Sequence, residues 1–123
     1  MGVRRVEEIL AYQLSLEFKR STYAVVTTHP AAARDLRYRD QLYAAASAVT
    51  ANIAEGFGRR TAREFRQYLS YARSSVAEAM MWLEDGMDRR HFPAEAIKEA
   101  LTLGRRTAFM IARLQRSLAP FID

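Results

Sequence analysis

His29 and His91 are the only imidazoles in the chain, and so the first candidates for acid–base, nucleophilic or metal chemistry. Neither histidine has a serine and an acid nearby in the arrangement that nucleophilic catalysis requires. Asp88 and His91 stand at i, i+3, the spacing by which metal-carboxylate bundles present two ligands from one helix. Such a centre needs a second copy of the pair and two further carboxylates facing the core. Here there is no second copy, and Arg89 and Arg90 beside His91 place positive charge where a cation would sit. Gly56-Phe57-Gly58 lacks the lysine and the preceding strand of a phosphate-binding loop. With no cysteine there is no disulfide framework and no thiolate metal site, which suits a reducing compartment. The expectation is a protein that binds rather than catalyses, with no metal and no cofactor.

What it would bind is suggested by its arginines. Nineteen basic residues against fourteen acidic ones give a net charge of +5, and only Lys19 and Lys98 are lysines. Arginine presents a planar fork that suits phosphate and carboxylate, and it sheds hydration more readily than lysine. Arg59, Arg60, Arg63, Arg66 and Arg73 lie between Gly56 and Ala77, where Glu64 is the only acid. On a helix, Arg63, Arg66 and Arg73 share a sector of about 80°, across from Tyr68, Tyr71 and Trp82. That separation argues against a strand binder whose bases stack among basic groups. It favours aromatics that meet protein and arginines that face solvent or phosphate. A charge run is also how an ordinary solvated helix face is built.

These residues need long helices to hold them. Helical periodicity covers about residues 6–28, 36–56, 62–90 and 93–118. The first helix stops at His29-Pro30, and residues 31–35 connect it to the second. Gly56 and Gly58 break the second, as glycine does past a helix end. Thr61 and Glu64 have the spacing of a capping box for the third, and Phe92-Pro93 opens the fourth. Core stripes recur at three and four: Leu42, Ala46, Val49 and Ile53, then Phe65, Leu69, Ala72, Val76, Met80, Leu83 and Met87, then Ile97, Leu101, Gly104, Ala108 and Ile111. Half of the residues are hydrophobic, enough for one core in a domain spanning residues 1–123. Short connections make neighbours antiparallel. The expected fold is all-α, an up-down-up-down four-helix bundle.

Apolar surface remains once the core is assigned. Tyr68, Tyr71, Ser75 and Trp82 flank the stripe of the third helix. The first helix is apolar on two sides, Ile9, Tyr12 and Leu16 on one and Leu10, Leu14, Phe18 and Val25 on the other. Aromatic residues of this kind are enriched at interface centres, so a homo-oligomer using Tyr68, Tyr71 and Trp82 is expected. A wide core stripe is the plainer alternative. No apolar run approaches a membrane span, and a soluble cytoplasmic protein is expected.

The run Asn52-Ile53-Ala54-Glu55-Gly56-Phe57-Gly58-Arg59-Arg60, followed by Glu64-Phe65 and Tyr68-Leu69, resembles the signature of the bacterial four-helix bundle proteins encoded in intervening sequences of 23S ribosomal RNA genes. The likeness extends from Tyr12-Gln13 through Ala72-Arg73, Ser75 and Glu78. One departure is Val49-Thr50-Ala51, where relatives often carry a proline; a straighter helix is expected. The resemblance implies kinship with the accessory protein of diversity-generating retroelements, and through it a pentameric, positively charged assembly that binds nucleic acid and a protein partner. From the residues themselves, Ile53 is core, Asn52 is placed to bond a neighbouring helix, and Glu55 to pair with the Arg59-Arg60 turn. Two readings follow: an oligomeric accessory factor that binds RNA or DNA through its arginines, or a protein-interaction scaffold whose arginines only solubilise it.

Overall fold

The computed structural model describes residues 2–122; Met1 and Asp123 lie outside the described residues. It is all-helical, with four long helices and one short one: α1 (Leu10–Thr27), α2 (Pro30–Arg34), α3 (Leu36–Phe57), α4 (Ala62–Asp88) and α5 (Lys98–Leu118). α1 packs on α3, α3 on α4, α4 on α5, and α5 closes the ring on α1. Each long helix thus neighbours the next long helix in the chain. The bundle is antiparallel, up-down-up-down.

Periodicity explains the core directly. Leu14 and Phe18 of α1, Leu42, Val49 and Ile53 of α3, Leu69, Val76 and Leu83 of α4, and Ile111 of α5 are all buried in one cluster. Each such side chain stabilises the fold by about 1.5–3 kcal/mol relative to exposure. α3 and α4 form the most extensive pairing, and small buried residues are present on both: Ala45 and Ala46 on α3, Ala72 and Ala79 on α4. α3 is continuous through Val49-Thr50-Ala51, and the Thr50 hydroxyl meets that of Ser15 in α1 at 3.1 Å.

The helix ends depart from the sequence expectation in four places. The first helix does not begin at Val6: residues Val6–Glu8 form a 3-10 turn, and the extended backbone of Ile9 (φ −81°, ψ 122°) separates it from α1. The connector after Pro30 is itself the helical turn α2, since proline is favoured in a first turn. α5 begins at Lys98, after a 3-10 turn at Ala94–Ile97 that Pro93 caps. Gly56 does not break α3; it is a helical residue, and Gly58 ends the helix with ordinary right-handed backbone (φ −78°). Gly56 is glycine because α4 crosses so closely there. A Cβ at Gly56 would lie 2.7 Å from the Tyr68 Cβ and 2.9 Å from a Phe65 ring carbon.

The α4–α5 corner is set by α4's C-terminus. Arg90 has φ 62°, and the His91 N–H bonds the Gly86 carbonyl while the Arg90 N–H bonds that of Met87. This is the double bond of a Schellman motif, with arginine where glycine is usual. Among the described residues no helix is long and apolar enough to cross a membrane.

Candidate nucleic-acid interface

The α3–α4 turn and the first half of α4 carry the five arginines singled out above, and the structure divides them. Arg59 turns toward the aromatic flank. Its guanidinium lies 4.8 Å from the centre of the Tyr68 ring and donates to the Tyr68 hydroxyl. It also pairs with Glu55 at 2.9 Å and lies 4.0 Å from Glu64. Negative potential from Tyr68 first, then from the two glutamates, raises the Arg59 pKa above its usual value. The basic and aromatic faces are therefore not separate at this corner. Arg59 is stacked and neutralised, and it orders the turn.

The other four lie on the α5 side of α4 and its approach. Arg60 and Arg63 line a groove with Thr61, Phe121 and Ile122. Arg63 and Arg66 line the next, with Ser70 and Gln115. Arg73 lines a third, of about 570 Å³, with Ser70, Ser74, Met80 and Arg105. Gln115, buried on α5, links them: its amide N–H₂ donates to the Arg66 carbonyl at 3.1 Å and the Ser70 hydroxyl at 2.9 Å, and its oxygen accepts from Arg73 at 3.2 Å. Arg73 is thus held in place by a neutral partner, its charge uncancelled. The Nε of Arg66 is buried with no partner at all.

The antiparallel packing brings in residues that the sequence reading missed. From Arg105 to Leu118, α5 carries Arg105, Arg106, Arg113 and Arg116 and no acid. All four are exposed, and among the described residues none of them pairs with a carboxylate. Because α5 runs opposite to α4, this half of α5 lies beside the basic half of α4. The composition signal was present, four arginines in fourteen residues without an acid, but only the packing direction shows that the two stretches adjoin. The remainder of α4 has the opposite character: from Glu78 to Asp88 it carries Glu78, Glu84, Asp85 and Asp88 and no basic residue.

The aromatic flank divides too. Tyr71 is 48% exposed, edge-on to Tyr68 at 5.5 Å. Trp82 is half-buried against the Tyr38 ring, and its indole N–H donates to Glu78 at 3.2 Å. Asn52 does not reach a neighbouring helix; its amide donates to the Ala48 carbonyl of its own helix at 2.9 Å, an i−4 bond that a short amide makes with least reorganisation. Ile53 is fully buried, and Glu55 is the partner of Arg59 already described. On α1 only Leu10 is strongly exposed; Leu14, Phe18 and Val25 are core, and Tyr12 and Leu16 are half-buried.

His91 finds a partner that spacing along the chain did not suggest. It donates Nε2–H to Asp35 at 2.9 Å, rather than meeting Asp88. Asp35 also accepts from Arg89 at 3.0 Å and from the Tyr38 backbone N–H at 3.3 Å, capping α3. The His91 bond, with the Tyr38 and Arg89 bonds behind it, holds the Asp35 pKa below 3.8, against an opposing contribution from desolvation. Burial pushes the Tyr38 phenol well above its usual range, and its hydroxyl donates to the Trp82 carbonyl at 2.7 Å. The cluster is a clasp between the start of α3 and the α4–α5 corner. Among the described residues no three His, Asp or Glu side chains gather as a metal site requires.

A family model described as 23S rRNA-intervening sequence protein matches residues 7–113. The chain belongs to this family. The match spans the whole α3–α4 corner and most of the basic half of α5, with Arg116 just beyond it. That description of the 23S rRNA-intervening sequence family names no activity. No curated protein matches the chain.

Proposed function

We propose that this member of the 23S rRNA-intervening sequence family is a non-enzymatic, cytoplasmic accessory factor that binds nucleic acid through the α4–α5 arginine face. The observation that carries the reading is that Arg63, Arg66 and Arg73 of α4 line adjoining grooves, the last of them shared with Arg105 of α5, whose following half carries Arg106, Arg113 and Arg116 and no acid. Glu64, already near Arg59, is the only acid in the two stretches that carry them. Cations gathered at this density are costly unless a polyanion meets them, and arginine forks match phosphate oxygens.

The chain assembles with copies of itself, on this reading, through the flank of Tyr71 with Tyr68 and Trp82, and a pentamer is the form the family resemblance suggests. The exposure of Tyr71 and of Met81, at 48% and 46%, supports a protein-facing surface on α4. The same exposure favours the second reading, a scaffold for another protein with arginines that only solubilise it.

A salt series separates the two. Affinity for a DNA duplex should fall with a log–log slope of about −0.9 per phosphate neutralised. Replacing Arg63, Arg66 and Arg73 with alanine should flatten that slope, while Arg59→Ala, which removes an already paired charge, should leave it nearly unchanged. Equal affinity for wild type and triple variant overturns the assignment to these arginines, whereas no binding by wild type at moderate salt defeats the nucleic-acid reading and leaves the scaffold.

A further inference from the structure

Phe109 lies on the outer face of α5 and is 61% exposed. Single exposed apolar residues are ordinary, but this one is not single. Phe109 and Met110 form the wall of a notch between α5 and α1, with Leu10 and Leu14 opposite and Arg105 and Arg106 at its rim. The notch holds about 260 Å³, and Leu10 within it is 50% exposed. Arg113 follows Phe109 by one helical turn and Arg116 by two, so cations stand on both sides of the ring along the helix. Arg105 lines both this notch and the α4–α5 groove of Arg73, which makes the two surfaces continuous.

Resting on the nucleic-acid reading above, we propose that this notch is a base-stacking site, and that the ligand is a single strand rather than a duplex. An unpaired base laid on Phe109 covers the ring and the Leu10 side of the notch, while Arg105 and Arg106 take the adjacent phosphates. A duplex keeps its bases stacked inside and offers only phosphates, leaving Phe109 and Leu10 wet. Stacking on an aromatic set among cations is how strands are held without sequence preference. A second copy is the less favoured occupant, because its own net charge of +5 opposes approach to four unpaired arginines.

The test compares a fluorescently labelled oligothymidine strand with a blunt duplex, using the full chain and anisotropy across a salt series. Phe109→Ala should weaken strand binding about five- to hundredfold and leave duplex affinity and the salt slope unchanged. Phe109→Trp should keep strand affinity and gain an emission component that the strand quenches, above the constant Trp82 background. Phe109 is exposed, so both variants should melt like wild type, which circular dichroism checks. Equal losses for strand and duplex, or no loss for either, overturn the stacking site while the arginine face stands. Wild type that binds neither ligand overturns the nucleic-acid reading itself. A fall in molar mass by light scattering for Phe109→Ala makes the notch the seat of a second copy, and also overturns the proposal.

Discussion

Arg59 and Arg66 are both arginines of the α3–α4 corner, yet their surroundings are opposite. One is stacked on Tyr68 and paired with Glu55; the other has a buried Nε with no partner. A count of charges in the sequence weighs them equally, whereas only the first has carboxylates beside it. Arg90 shows a different limit at the same scale. Its φ of 62° costs an L-residue about 1–2 kcal/mol relative to a right-handed conformation, and its Schellman bonds hold it there. Arg90→Gly should raise unfolding free energy by about 0.5–1 kcal/mol, read from a urea transition with unchanged slope. Arg90→Val should lower it. Asp35 gives a pH signature with a definite sign. Its pKa is lowered on folding from 3.8, so its stabilisation is complete above that value and fades as pH falls through the folded pKa. Asp35→Asn should lower stability at neutral pH and remove that part of the acid limb, measured as melting temperature against pH. None of this could be read along the chain, since Asp35 and His91 are 56 residues apart and Asp88 looked the nearer partner.

At the scale of elements, the helices were the most legible part. In the α4 stripe Phe65, Leu69, Ala72, Val76 and Leu83 are buried and Met80 and Met87 half-buried at its edge, because a period near 3.6 leaves one side of a long helix no other place. Ends were harder to read, because the signals there have two meanings. Gly56 and Gly58 look alike in sequence, but one is a packing residue inside α3 and the other its terminus. The difference is measurable. Gly56→Ala should cost about 1–3 kcal/mol from overpacking against Tyr68 and Phe65, in spite of alanine's advantage of about 1 kcal/mol in a helix. Gly58→Ala meets only ordinary contacts, at 3.6 and 3.8 Å, and should gain about 0.5 kcal/mol. Denaturant melts of the two variants should therefore move in opposite directions. The site was half legible for a related reason. Arg63, Arg66 and Arg73 declare themselves on one helix, whereas Arg105 meets Arg73 only through the antiparallel return of α5, which brings Arg113 and Arg116 to the same end of the bundle.

At the scale of the whole molecule, the net charge understates what a partner meets. If the α4–α5 face binds phosphate, Arg113→Gln with Arg116→Gln should reduce the salt slope by about 2 in duplex binding. Glu84→Gln with Asp88→Asn changes net charge by the same amount in the other direction. That pair should raise affinity slightly and leave the slope alone, because it touches no phosphate. Anisotropy titrations at several salt concentrations distinguish the two.

The reversal of charge sign along α4, arginines before Ala77 and carboxylates from Glu78 to Asp88, also governs the approach to a partner. Opposite charges at the two ends of a rod make a dipole moment, and the field of a polyanion exerts a torque on it before any surfaces touch. The bundle should turn its arginine end forward in flight, so that a larger share of collisions is productive. Such orientation works only over the screening distance, about 10 Å at 0.1 M salt. Stopped-flow mixing should accordingly find the association rate constant rising steeply as salt is lowered. The Glu84→Gln, Asp88→Asn variant, with more net positive charge but a weaker dipole, should show a shallower rise than its charge alone implies.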